Sequence, residues 1–244
     1  MRSRTLLLLA GLLSLSATAA RAQDDDDWYY DRHPTGGYAG LSFTYADPQG
    51  EFSDFVKQGW GLDLHYLHRL DRDGWLGIRA EGGFLIYGHE RQRVPLSPTL
   101  GGRIQVDLVT DNNIAFLGVG PQIGVPDGRL RPYVNGYVGV SYIYTESSVE
   151  GTYDYDNEPF ARTNNFDDAS FAYGGGAGLY IPLRHGASPI SIDAGVTYRR
   201  NGTADYLTEG GIQDNPDGSV TLYPVRSETD LLTFHLGVSI GIAH

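Results

Sequence analysis

The chain has 244 residues, no cysteine, and 30 acidic against 18 basic residues, a formal net charge of −12. These values exclude a disulfide framework and a thiolate metal centre. They also argue against nucleic acid, or anionic lipid held through a basic patch.

The first residues carry an export pattern. Arg2 and Arg4 precede the apolar stretch Leu6–Leu15, and small residues follow up to Ala20-Arg21-Ala22, an A-x-A-like cleavage site. The apolar stretch falls well short of the ~20 residues a membrane helix needs, so residues 1–22 are expected to be a signal peptide. Its removal takes Arg2, Arg4 and Arg21 from the 18 basic residues and leaves 15 against 30 acidic ones. Residues 23–36 (QDDDDWYYDRHPTG) have no sustained period and are expected to form a periplasmic leader. The acidic run Asp24–Asp27 fits a solvated segment better than a cation site. No later segment approaches ~18 consecutive apolar residues, so any membrane crossing must use strands.

From Gly37 to the end of the chain a two-residue alternation recurs, the period of a strand with two different faces. Residues 38–46 show a weak version. Trp60, Leu62, Leu64 and Tyr66 alternate with Gly61, Asp63, His65 and Leu67, and Leu76, Ile78, Ala80, Gly82, Phe84 and Ile86 alternate with Gly77, Arg79, Glu81, Gly83 and Leu85. Weaker alternation covers 114–125, 133–145 and 170–182. Ile190–Arg199 is clearer, and Leu232–Ile242 is clearest. These are about eight segments of ~10 residues, the length a tilted strand needs to cross a bilayer. Residues 103–109 alternate as well, which allows a ten-strand count; they are expected instead to extend strand four beyond the membrane, interrupted at Thr110–Asn113. Pro121 falls inside a strand and predicts a bulge there.

Connections alternate in length. Asp71-Arg72-Asp73-Gly74, Pro126-Asp127-Gly128 and Arg184-His185-Gly186-Ala187 are tight turns, whereas 47–58, 89–102, 147–168 and 201–227 are long and polar. Such sorting is the habit of outer-membrane barrels, with the short turns periplasmic. With the N-terminus inside, Tyr45, Trp60, Tyr142, Tyr144, Phe171, Tyr173 and Tyr198 gather at extracellular strand ends on the apolar face, as an aromatic girdle does. Tyr66 and Trp75 are candidates for the inner girdle. Asp63, Arg69, Arg79, Glu81, Asp193 and Arg199 fall on the inward face, where they avoid the ~2–4 kcal/mol cost of a cationic side chain facing lipid at mid-depth. The expected fold is all-β: an antiparallel up-and-down transmembrane β-barrel of eight strands over residues 37–244, with short periplasmic turns and long extracellular loops.

The stretch Leu130-Arg131-Pro132-Tyr133-Val134 with its Gly-rich continuation NGYVGVSY, and the closing TFHLGVSIGI, resemble the small bacterial outer-membrane barrels of the OmpA/OmpX type. Those barrels commonly end in an aromatic residue, where this chain has Ile242-Ala243-His244. The resemblance implies a monomeric barrel in the cell outer membrane. Its partners would be outer-membrane lipids, lipopolysaccharide and the barrel assembly machinery, and its roles would range from anchoring to adhesion to lipid modification.

No catalytic, cofactor-binding or metal residue is expected. Barrel enzymes acting on lipid A would need Ser, His and an acid in mutual reach. His89 with Glu90 and Ser97, or His235 with Ser239 and Asp193, could supply the types, but nothing in sequence ties either set together. His65 and His68 lie three residues apart and so on opposite strand faces. Oxygen ligands for Ca²⁺ occur at Asp154, Asp156, Asn157 and Glu158 and at Asp214–Gly218, without EF-hand spacing. The glycine run Gly174–Gly178 lacks the Lys-Ser/Thr and helix of a phosphate loop; inward glycines would instead make room in a crowded lumen. Asn201-Gly202-Thr203 is a turn. Eight strands enclose a lumen that side chains such as Arg79, Glu81, Tyr133, Tyr137, Arg199 and His235 can fill. The sequence thus favours a non-enzymatic structural or surface-interaction protein over a lipid A-modifying enzyme, a narrow pore or a soluble lipocalin-like carrier.

Overall fold

The computed structural model describes residues 35–96, 104–151, 159, 161–186, 188–215, 217 and 219–243. The expected signal peptide and nearly all of the leader lie outside them. Eight antiparallel strands close into a barrel: β1 (Thr35–Pro48), β2 (Gly59–Arg69), β3 (Leu76–Pro95), β4 (Gln105–Gly124), β5 (Arg131–Gly151), β6 (Ala161–Arg184), β7 (Ile190–Asn201) and the last strand, β12 (Leu231–Ala243). Each pairs with its neighbours around the ring, and β12 returns to pair with β1 from Pro48↔Leu231 to Thr35↔Ala243. The eight-strand count holds, and residues 105–109 belong to β4.

The alternation sorts the faces as expected. On β12, Phe234, Leu236, Val238, Ile240 and Ile242 are exposed on the outside, while Thr233 and Ser239 are buried within. Leu41, Phe43, Leu62, Leu64, Leu117, Val138 and Val140 continue the outer apolar surface around the ring. Aromatic rings cluster at the loop end of that surface: Tyr45 lies 4.6 Å and Phe43 5.6 Å from Trp60, and Tyr142 stacks on Tyr144 at 5.4 Å. Tyr66 and Trp75 are exposed towards the other end.

The three tight turns each hold a glycine in the left-handed region, Gly74 (φ 77°), Gly128 (φ 110°) and Gly186 (φ 115°), where a Cβ would be strained. In the first, the Asp71 carboxylate accepts the Trp75 and Leu76 N–H groups at 3.0 and 2.8 Å. This pulls its pKa below the ordinary carboxylate value.

At the opposite end the structure departs from the sequence reading. β3, β4, β5 and β6 have 20, 20, 21 and 24 residues, against 14, 11, 12 and 13 for β1, β2, β7 and β12. Much of 89–102 and 147–168 is therefore strand, and β4 runs through Thr110–Asn113 without a break. Polar side chains on both faces hid these extensions from a hydropathy pattern. The 201–227 segment also folds, into β8 (Thr203–Tyr206), β9 (Ile212–Asp214), β10 (Val220–Leu222) and β11 (Val225–Glu228), with β8 pairing β11 and β9 pairing β10. A short helix α1 (Phe52–Phe55) lies between β1 and β2. The bulge expected at Pro121 is absent. Pro121 stays in register opposite Ile78, and on the β5 side the ladder skips Gly120–Pro121 without a shift. Gly136 leaves space for the proline ring, whose Cδ would lie 3.3 Å from a Cβ there. Bulges occur instead at Ile86/Gly88 and Thr145/Glu146, where the long strands leave the ring.

Inside, large side chains lie over glycines directly across the ladder. Gly40 faces His65, Gly178 faces Tyr133 and Gly195 faces His235. A Cβ would lie 2.2, 2.4 and 2.7 Å from those rings, closer than packing permits. The expectation that inward glycines make room for lumen side chains is met at Gly176 and Gly178. Gly178→Val should lower unfolding stability in detergent by ~1–3 kcal/mol, read as a shifted denaturant midpoint. Gly202→Ala, whose Cβ would meet nothing closer than 3.6 Å, should leave the midpoint unchanged.

Candidate functional site

The lumen is the first place to look for chemistry, and it is filled by paired charges. Arg79 on β3 holds the Glu81 carboxylate at 3.1 Å, stands 3.7 Å from Asp193 of β7, and donates to the Tyr180 hydroxyl at 3.1 Å. Arg199 on β7 reaches across to Glu81 at 2.9 Å and lies 3.7 Å from Asp63. Its guanidinium sits over the Phe116 ring at 3.9 Å, a cation–π contact strengthened by burial. Tyr133 donates to Asp193 at 2.7 Å and meets His235 Nε2 at 3.1 Å. Asp63, Arg79, Glu81, Tyr133, Asp193, Arg199 and His235 are inward, as the sequence predicts, and Phe116 and Tyr180 join them. Desolvation makes such pairs poor sources of net stability, but removing one partner strands a buried charge at a cost of ~3–5 kcal/mol.

Above this polar layer lies an apolar plug. Leu85, Ile114, Phe116 and Ile143 from the inner faces of β3, β4 and β5 pack with Ala46, Phe52 and Val56 from the α1 side and with Ala204 and Tyr206 of β8. Phe52 meets Tyr206 edge-on at 5.1 Å, and Tyr87 donates to the Leu207 carbonyl at 2.9 Å. Asp230 pins the segment by accepting the Asn201 N–H at 3.0 Å and the Tyr198 hydroxyl at 2.8 Å. The first and last loops thus fold inward over the mouth. Sequence reasoning missed Phe52, Tyr206 and Leu207 because they are isolated apolar residues in polar segments. The one signal was Phe52, Phe55 and Val56 at helical spacing.

Beyond the plug, β3–β6 continue as a four-stranded wall for roughly 30 Å at ~3.3 Å per residue. On one face Arg91 and Arg93 grip Asp107 at 2.8 and 3.0 Å, Arg162 pairs with Glu146, and His89 meets Asp111 at 2.6 Å. On the other, Thr110 and Ser147 share a hydrogen bond at 2.8 Å. β2 stops pairing at Trp60↔Ile86, so Gly88–Pro95 has β4 on one side and no strand on the other among the described residues.

The lumen candidate set does not assemble, and the loop set is described only at His89 and Glu90. His235 and Asp193 come within 3.6 Å, a proximity sequence could not supply, but the Tyr133 hydroxyl bonds to both. Ser239 Oγ is buried with no hydrogen-bond partner, so there is no nucleophile–base pair. His89 turns to Asp111, while Glu90 accepts the Gly210 N–H at 3.2 Å; Ser97 lies outside the described residues. His65 is buried and His68 exposed, on opposite faces as expected. Asp154, Asp156, Asn157 and Glu158 lie outside the described residues. In 214–218 the Asp217 carboxylate accepts the Ser219 N–H at 2.9 Å, an ordinary turn contact. Among the described residues no cluster of three or more His, Asp or Glu is arranged to hold a metal.

Asp107 gives a pH signature for the wall. Hydrogen bonds from Arg93 and Arg91 hold its carboxyl below the ordinary value of 3.8. Because the folded pKa is depressed, this contribution is present at neutral pH and is lost as pH falls through the folded value. The protection of the Arg91–Arg93 amides, corrected for the intrinsic exchange rate, should therefore fall on acidification below pH ~4, and Asp107→Asn should already show the lower protection at neutral pH.

The sequence matches the outer membrane protein beta-barrel domain over residues 6–239. No curated protein matches it in sequence. Among solved structures it is similar to the attachment invasion locus protein Ail of Yersinia pestis (17% identity over 84% of this chain and 97% of that one, TM-score 0.43). It is likewise similar to Neisserial surface protein A (12% identity, 86% and 97%, TM-score 0.47) and to a major outer membrane protein of Thermus thermophilus (16% identity, 82% and 98%, TM-score 0.42). With a closed eight-strand ring, an apolar exterior and a match spanning most of its length, the chain belongs to the outer membrane protein beta-barrel domain family.

Proposed function

We propose that this protein is a non-enzymatic outer-membrane barrel that makes surface contacts through the wall formed by β3–β6. The observation that carries this reading is the division of the molecule. The ring is filled by ion pairs and plugged by Phe52 and Tyr206, which leaves no substrate-sized lumen. The folded material is concentrated in strands that rise past the ring. A strand edge such as Arg91–Pro95, with no strand beside it among the described residues, offers backbone groups to a partner, while Arg91, Arg93 and Pro95 discourage indiscriminate pairing. An export signal over 1–22 and a monomeric state in the outer membrane complete the proposal.

Placement of the wall is testable because the chain has no cysteine. A Val94→Cys variant should react with a membrane-impermeant maleimide on intact cells, and an Asp127→Cys variant only after permeabilisation; the reverse pattern would refute the proposed orientation. Lipid A from an expressing host should keep its mass. A mass change that disappears with His235→Ala would replace this reading with an enzymatic one. Deleting 150–166 should spare the barrel and abolish any adhesion that expression confers.

A further inference from the structure

Where α1 meets the loop end of β2 and β3, a cleft of about 640 Å³ opens, bounded also by Tyr87 and by Thr208 and Glu209 of the last loop. That lies within the ~300–1,000 Å³ of small-molecule sites. Its apolar walls are Phe55, Trp60 and Ile86, exposed by 50, 45 and 38%. Trp60 and Ile86 belong to the apolar exterior and girdle. Phe55 stands beyond the strand ends, so the cleft carries the lipid-facing surface upward past the ring. Phe55, whose ring also meets Tyr206 edge-on at 6.5 Å, joins Trp60 and Ile86 in one exposed apolar patch, the kind of surface that marks an interaction site, and continuity with the bilayer surface indicates its occupant.

The rim supplies a head-group contact. Lys57, the only lysine in the chain, lines the cleft. It is exposed and has no hydrogen bond or ion pair among the described residues. Of the other charged groups there, the Glu209 carboxylate accepts the His89 N–H at 3.3 Å and keeps its negative charge, and His89 Nδ1 meets Asp111 at 2.6 Å. A lysine beside aromatic rings can lay its methylenes on the apolar wall and present its ammonium at phosphate depth. The overall acidity rules out a basic patch but not one uncommitted ammonium.

We propose that this cleft is a discrete binding site for one phosphate-bearing diacyl lipid, with an acyl chain against Phe55, Trp60 and Ile86 and the phosphate on Lys57. The site depends on the barrel being embedded in lipid and not on what the wall contacts.

The test uses a Trp28→Phe/Trp75→Phe variant, which leaves Trp60 as the sole tryptophan, folded in non-ionic detergent. Brominated-chain phosphatidylglycerol should quench Trp60 fluorescence saturably. Lys57→Gln should raise the half-saturating concentration about fivefold, the weight of one ammonium at a phosphate. Brominated diacylglycerol, which lacks the phosphate, should quench without saturating. Equal saturable quenching by both lipids, or quenching unaffected by Lys57→Gln, would overturn the phosphate contact. Absence of saturable quenching by either would overturn the site, and a dimeric mass by light scattering would then assign the cleft to a second copy. Surface labelling at Val94→Cys remains independent of all these outcomes.

Discussion

In hydrocarbon there is no water to bond a strand's N–H and C=O groups, so a sheet survives there only if it has no edges. The pairing of β1 with β12 supplies that closure, and the rest of the molecule follows from it. A ring this small turns one face of every strand to lipid and the other to a narrow interior, so each strand must alternate. Charges that cannot face lipid are driven into the lumen, where Arg79 and Arg199 pair with Glu81, Asp193 and Asp63. Because the lumen is tight, Tyr133, His65 and His235 fit only where a glycine lies opposite.

The same constraint explains where the fold ceases to be a regular ring. β1, β2, β7 and β12 have about the ~9–11 residues a tilted strand needs to span the bilayer, or slightly more. β3–β6 run well beyond it and are released from the requirement of an apolar outer face. There the outer face carries Arg91–Asp107–Arg93 and Arg162–Glu146 pairs. These pairs, whose arginines are at least half exposed, each contribute little. The plug of Phe52, Tyr206, Leu85 and Ile114 supplies the apolar anchorage that the wall's own surface lacks.

How much of this was legible follows from physics. The ring strands announced themselves because lipid on one side and charge on the other impose a hydropathy alternation, as in Leu232–Ile242. Their faces were therefore readable residue by residue, and so were the glycine turns. Partners were not: Arg79 meets Tyr180 and Arg199 meets Glu81 across the barrel, over separations that no local pattern encodes. The extension of β4 over 105–109 was legible from its alternation, whereas the β3 part of the wall was read as loop because Glu90, Arg91, Gln92 and Arg93 alternate polar with polar. Pro121 suggested a bulge from its own chemistry, but the space beside it is provided by Gly136 on the next strand. The approach of His235 to Asp193 became visible only in three dimensions.

The central claim is that ion pairs and the plug close this barrel to solvent, and electrical conductance across a planar bilayer tests it most directly. Purified, heat-modifiable protein inserted into a bilayer should give no stable conductance step over the background of the lipid. Steady, ohmic steps from the folded wild-type protein would show a continuous aqueous path through the ring and would contradict the account.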